Sequence, residues 1–185
     1  MKKLLAALLA LALLLPAAAM ADQTVDLGVC VLRVNDDAYV TYGDKESGML
    51  VQIIPDPNAE VMFYDNINVV WTDAEISDID ISVEEFAEFV MKTAMEGMAA
   101  QGVTVSNEQL IGSELTAEED YLTLYYTIDV DYSNLGIDLQ LTLHFTQLAM
   151  SFEDEGMYTF TCTASSADGA LALLDYIDSA IEMKE

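Results

Sequence analysis

The stretch from Glu119 to Ala164 constrains the fold most, because its apolar and polar residues alternate with a period of two. The alternation runs over residues 122–132, resumes over 139–146, and returns over 157–164 after a second turn. Strands that bury one face of an antiparallel sheet show this pattern. It therefore predicts a three-stranded meander with one apolar face and one threonine-rich face.

The start of the chain has the order of charged, apolar and small residues that is typical of a secretory signal peptide. Lys2 and Lys3 precede an apolar run from Leu4 to Leu15, and small residues follow. This run is shorter than the roughly 20 residues that a helix needs to span a bilayer. We therefore expect residues 1–21 to be a cleaved signal peptide and residues 22–185 to form one domain. That domain would be secreted or otherwise extracytoplasmic, with no membrane span after cleavage. An uncleaved anchor is the alternative.

The chain is strongly acidic. It has 33 acidic residues, six basic residues and a formal net charge of −27. Loss of Lys2 and Lys3 with the signal peptide leaves four basic residues and a charge of −29. Nucleic acids and anionic lipids bind to basic surfaces, so we expect neither as a partner. Acidic residues that keep an exported protein dissolved are the simplest explanation, and a cationic partner or a divalent cation is the alternative.

Cys30 and Cys162 are the two cysteines of the sequence. Outside the reducing cytosol, a disulfide between them is permitted. Buried free thiols that pack as small hydrophobic groups are the alternative. Together with His144, the single and distant histidine, they do not make a zinc site, which takes about three or four protein ligands.

Two segments have helical periodicity. Ser82 and Glu85 form a capping box before an apolar stripe, which predicts a helix that ends at Gly102. Ser165 and Asp168 indicate the start of a second helix near the C-terminus. The predicted fold class is α+β. We expect an antiparallel sheet of about six strands with two main amphipathic helices, in a layered α/β/α sandwich.

The sequence motifs for catalysis, cofactors and metals are weak. His144 lacks the Gly-x-Ser-x-Gly elbow that would supply a nucleophile. Asp129, Asp131 and Ser133 begin like a calcium loop, but Gln140 replaces the closing glutamate, so we expect a β-turn there. The glycines are scattered, without a phosphate-binding loop. We therefore expect a protein that is not an enzyme, with no cofactor and no metal site.

Three segments carry a resemblance to a known family. The strand from Asn66 to Val69, the helix start from Ser82 to Phe86, and the strand from Tyr158 to Ala164 before a final helix follow in an order that resembles the PsbP-like superfamily. This superfamily includes the extrinsic photosystem II protein PsbP, a Ran-binding nuclear import factor and many small exported bacterial proteins of unknown role. The resemblance implies an antiparallel sheet between helices, used to dock onto other proteins rather than to catalyse.

We therefore expect a secreted, non-enzymatic binding or accessory module that docks to a protein partner through a sheet face or its acidic surface. Tyr121, Tyr125 and His144 are the candidate partner-binding residues, because they place ring groups on the polar face of the meander. One alternative is an extracellular hydrolase with paired carboxylates, one of which has a raised pKa. The other is a weak calcium-binding module.

Overall fold

The computed structural model describes residues 23–46, 48–76, 81–116, 121–152 and 155–184. It has two α-helices in this part of the chain, α1 (Val83–Ala100) and α2 (Ala167–Ala180). The strands are β1 (Gln23–Asp26), β2 (Cys30–Val34), β3 (Tyr39–Tyr42), β4 (Met49–Ile54), β5 (Asn66–Thr72), β6 (Thr104–Leu115), β7 (Tyr121–Asp131), β8 (Gln140–Phe152), β9 (Gly156–Ala164) and β10 (Ile181–Met183). The predicted signal peptide at residues 1–21 lies outside the described residues.

The strands form two antiparallel sheets. The large sheet has seven strands in the order β3-β4-β5-β9-β8-β7-β6, and the small sheet has three in the order β1-β2-β10. The α+β class, the two helices and the large antiparallel sheet are confirmed, whereas the prediction of about six strands is wrong. The strands β1 and β10 have only four and three residues, which is too short for an alternating pattern to stand out.

The apolar side of the meander changes face between β8 and β9. Leu122 on β7 pairs with Ala149 on β8, and Ala149 pairs with Thr159 on β9. The large apolar side chain Phe160 of β9 instead pairs with Leu148 on the other face. The predicted single apolar face is therefore wrong, because the two helices cover opposite faces of the sheet and each needs its own apolar surface. This arrangement is an α/β/α sandwich.

Helix α1 covers the face that carries the apolar residues of β7, which we call the α1 face. Its start is the predicted capping box, in which Ser82 Oγ accepts a hydrogen bond from the Glu85 N–H at 3.2 Å and Glu85 Oε2 accepts one from the Ser82 N–H at 3.0 Å. The helix buries Ala87 and Met91 and packs mainly against β6 and β7. The α1 face is consequently left open over β5 and β9.

Helix α2 and the small sheet cover the opposite face, which we call the α2 face. The N-cap of α2 is Ser166, whose Oγ accepts a hydrogen bond from the Gly169 N–H at 3.1 Å, one residue after the predicted Ser165. The helix buries Ala170, Leu173 and Ile177 in one hydrophobic cluster with residues of β2, β5 and β9. Two cores on opposite faces therefore stabilise the large sheet.

Within the described residues, the structure has no helix that is both long enough and apolar enough to cross a lipid bilayer.

Candidate functional site

A groove of about 530 Å³ lies between α1 and the open part of the α1 face. Its wall consists of helix residues and its floor consists of residues from β5, β7, β8 and β9. We define the groove by its wall residues Phe86, Phe89, Val90, Thr93 and Ala94, and by its floor residues Val70, Leu122, Leu124, Gln147, Ala149, Met157, Thr159 and Thr161. The size is within the range of about 300–1,000 Å³ that is usual for ligand pockets.

The floor of the groove changes from apolar to polar between β8 and β9. Leu122, Leu124 and Ala149 are buried beneath α1, whereas Thr159 and Thr161 are half-buried. The side-chain amide of Gln147 stands at this border. A ligand in the groove would meet a helix and apolar side chains on one side, and hydroxyl and amide groups on the other.

Two asparagines extend the polar part of the floor along β5. The Asn68 amide donates a hydrogen bond to Asn66 Oδ1 at 3.0 Å, and the Asn66 amide donates one to the Tyr64 carbonyl at 3.1 Å. Asn68 is also the cross-strand partner of Thr161. We call Asn66 and Asn68 the amide row. It lies on the same face as Val70, and it leads from the groove to the loop before β5.

The open part of the α1 face carries no charge among its described sheet residues. The side chains of this face on β4, β5 and β9 are Met49, Gln52, Ile54, Asn66, Asn68, Val70, Thr72, Met157, Thr159, Thr161 and Thr163. Among the described residues that line the groove, Glu75 is the ionisable one. The chain as a whole has 33 acidic residues, so this uncharged surface contrasts with its overall composition.

Large apolar side chains are exposed on the same side of the molecule. Phe89 of α1 is 62% exposed, and in the loop before β5 Met62 is 72% and Val61 is 51% exposed. Their neighbour Phe63 packs against the hydrophobic cluster of α1, which places this loop on the α1 face. Of these exposed residues Phe89 lines the groove, and an exposed apolar side chain at a groove indicates an interaction site more strongly than a scattered one does.

The three predicted partner-binding residues lie on the α2 face. Tyr121 is 42% exposed, and Tyr125 and His144 are half-buried. The Tyr125 hydroxyl and His144 Nδ1 are 3.1 Å apart, within hydrogen-bond distance. Helix α2 packs against β8 and β9 on this face, so the polar side of the meander is open only in part. The structure brings Tyr125 and His144 together, and their role in binding stays a prediction.

The carboxylates of Asp129 and Asp131 accept hydrogen bonds from neutral groups. Asp129 accepts hydrogen bonds from Thr142 Oγ1 at 2.6 Å and from the Asn107 amide at 2.8 Å. Hydrogen bonds of this kind lower the pKa of Asp129, and those from Ser133 do so for Asp131. Among the described residues, no cluster of three or more histidine, cysteine or acidic side chains is arranged to hold a metal ion.

Cys30 and Cys162 are free thiols in the structure, and both are buried. Burial raises the pKa of Cys30 to about 11 and that of Cys162 to about 12. As thiols they pack as small apolar groups within the cluster of the α2 face.

The groove was not predicted from the sequence. Its polar floor follows from the alternation in β5 and β9, where asparagines and threonines occupy every second position. The sequence does not reveal that α1 leaves these two strands uncovered. Phe89 is the one signal that could have indicated the site, because it interrupts the polar side of an amphipathic helix.

Comparison with solved structures identifies a shared fold. The Ran-binding protein Mog1p of Saccharomyces cerevisiae is 12% identical, with a TM-score of 0.52, and the match covers 89% of this chain and 96% of that protein. A point mutant of protein Mog1 matches over the same shares at 12% identity, with a TM-score of 0.50. No family model and no curated protein matches the sequence. The likeness to a Ran-binding protein confirms the fold that the resemblance implied, and membership of the PsbP-like superfamily stays a prediction.

Proposed function

We propose that this protein is a non-enzymatic binding module that docks to a protein partner outside the cytoplasm, through the groove and the amide row. The observation that carries the proposal is the uncharged, partly apolar surface of the α1 face in a chain of net charge −27. The cores of protein interfaces are depleted of charged residues and enriched in aromatic residues and methionine. Phe89 and Met62 supply such side chains in exposed positions.

The shared fold adds support of a general kind. Mog1p binds Ran, which is itself a protein, so the same layered architecture serves protein binding elsewhere. The location outside the cytoplasm rests on the sequence of residues 1–21. Mass spectrometry of the exported protein tests it, because cleavage after Ala21 leaves Asp22 as the first residue.

The two alternatives gain no support from the described residues. A carboxylate acid requires a raised pKa, whereas hydrogen bonds lower the pKa of Asp129 and Asp131. These same oxygens, which a calcium ion would need, already accept hydrogen bonds from neutral side chains and backbone. The surface of Tyr121, Tyr125 and His144 is a less favoured docking site than the groove, because α2 covers part of its face.

Crosslinking in the native cells tests the docking site. Tagged full-length chains are expressed as wild type, as Phe89→Asp and as Leu171→Asp, and crosslinked proteins are quantified by mass spectrometry. Leu171 is the matched control, since it is also an exposed helix residue, at 47%, but belongs to α2. We expect a partner that is crosslinked to wild type and Leu171→Asp and is lost with Phe89→Asp. A partner lost with Leu171→Asp instead would overturn the choice of the groove.

A further inference from the structure

We infer that the groove receives an extended, positively charged segment of the partner protein, anchored by one large apolar side chain. This inference rests on the proposed function and adds the chemistry of the partner. Three features of the described residues lead to it: the distribution of charge around the groove, the hydrogen-bonding groups of the amide row, and the apolar end of the floor.

Charge complementarity selects a basic partner. Glu85 is exposed on α1 one helical turn before Phe89, Asp73 is exposed between the groove residues Thr72 and Ala74, and Glu75 lines the groove. The basic residues of the described chain are already engaged, with Arg33 beside Glu182, Lys92 beside Glu96, Lys184 beside Asp26, and Lys45 over the ring of Trp71. The surface around the groove therefore keeps an excess of negative charge, which attracts lysine and arginine and repels a second copy of this chain.

The amide row suits the main chain of an extended peptide. Asparagine and glutamine side chains offer both donors and acceptors, as does each peptide unit, and they bind without the desolvation cost of a charge. The hydrogen bonds of Gln147 use its amide nitrogen, and no described residue donates to its Oε1. The part of β5 from Asn66 to Val70 spans roughly 13 Å at about 3.3 Å per residue. It can therefore face about four residues of an extended segment.

The apolar end of the groove supplies the anchor site. Leu122 and its cross-strand partner Ala149 form its floor, and Phe86 belongs to its wall. The volume of the whole groove, about 530 Å³, leaves room for an aromatic or large aliphatic side chain. Phe89 stands at the wall with most of its ring exposed, so it can cover such a side chain. Aromatic anchors in pockets contribute most of the affinity in many protein interfaces.

A random peptide library displayed on phage tests the inference. The library is panned on the full-length protein and depleted on Phe89→Ser, and Leu171→Ser serves as a binding control. We expect enriched peptides with one aromatic or large aliphatic residue flanked by lysine or arginine. Their affinity should fall about tenfold or more in Phe89→Ser, which removes the ring without adding a charge, and it should weaken as salt is added. Enrichment of neutral or acidic peptides, or of none, overturns the inference.

Two paired variants separate the charge from the main-chain contacts. Replacing Asp73 by asparagine together with Glu85 by glutamine, which keeps the acceptor of the capping box, should weaken the binding of an enriched peptide and flatten its salt dependence. Replacing Asp175 and Asp178 of α2 by asparagine should leave both unchanged. Asn68→Leu removes a hydrogen-bonding group and no charge, so it should weaken the binding of the peptide at every salt concentration. Equal effects of the two charge pairs would overturn the basic-segment inference. If the crosslinked partner still depends on Phe89 in that case, the proposed function stands without it.

Discussion

The side-chain amide of Gln147 donates a hydrogen bond to the Thr161 hydroxyl at 3.0 Å, and the two residues are cross-strand partners on β8 and β9. The same amide donates to the Tyr126 hydroxyl at 3.3 Å, and Tyr126 is only 1% exposed. Gln147 thus lies at the border between the apolar and polar parts of the groove floor. It provides a hydrogen-bond partner for the Tyr126 hydroxyl, which is buried away from water.

The change Gln147→Leu should destabilise the protein, because it leaves the buried Tyr126 hydroxyl without this donor. An unsatisfied buried polar group costs about 1–3 kcal/mol, so the free energy of unfolding in urea should fall by that amount. Gln140→Leu is the matched control on the same strand, since Gln140 is exposed and donates to Asp131. If Gln140→Leu loses as much stability as Gln147→Leu, the hydrogen bond from Gln147 to the Tyr126 hydroxyl is not the cause of the loss.

The carboxylate of Asp65 forms a hydrogen bond with the backbone just before α2. Its Oδ1 accepts a hydrogen bond at 3.2 Å from the Ser165 N–H, 100 residues later in the chain. Asp65→Ala should lower the free energy of unfolding by about 1 kcal/mol, the usual net contribution of one hydrogen bond. Asp65→Asn keeps an acceptor and should retain most of the stability. Thermal unfolding of both variants checks this, and equal loss in the two would show that charge rather than the hydrogen bond matters.

The long strands and both helices could be predicted from the sequence because their patterns repeat several times. The alternation from residue 122 to 132 and the capping box at Ser82 are local signals, and the structure keeps both. The change of apolar face between β8 and β9 is not local. A period of two shows which residues of one strand share a face, but the register with the next strand decides which faces coincide.

The groove could not be predicted for a related reason. Its residues come from α1 and four strands that are far apart in sequence, and its existence depends on α1 lying over β6 and β7 instead of β5 and β9. The amphipathic pattern of α1 shows that the helix covers a sheet, but it does not show which strands lie beneath it. The predicted residues Tyr125 and His144 meet because they face each other on adjacent strands, which the alternation already implied.

The two thiols should be protected in the folded protein. Burial raises the pKa of Cys162 from its ordinary value of 9.0 to about 12, and a thiol reacts as the thiolate. A thiol reagent near neutral pH should therefore modify Cys30 and Cys162 only after unfolding, and two thiols per chain should then react. Absence of thiols after unfolding without reductant would instead show that they form the disulfide.

The same shift predicts a loss of stability in alkali. Below pH 9.0 both states keep the Cys162 thiol protonated, but between pH 9.0 and about 12 the unfolded chain ionises it first. Ionisation stabilises the unfolded state there, so the free energy of unfolding should fall as the pH rises through this range. In Cys162→Val this part of the decrease should be absent. If the free energy of unfolding of Cys162→Val falls with pH as steeply as that of the wild type above pH 9.0, the pKa of Cys162 is not raised by burial.

Two glycines with the same backbone conformation should respond differently to alanine. Gly48 has φ +78° and Gly156 has φ +84°, so alanine is strained at both positions. At Gly48 an added Cβ meets no atom within 4 Å, whereas at Gly156 it would lie 2.5 Å from the Thr72 carbonyl oxygen. Gly48→Ala should cost about 1 kcal/mol, the usual penalty for a left-handed residue, and Gly156→Ala clearly more. Urea unfolding measures both, and equal losses would show that β5 and β9 do not approach each other this closely at Gly156.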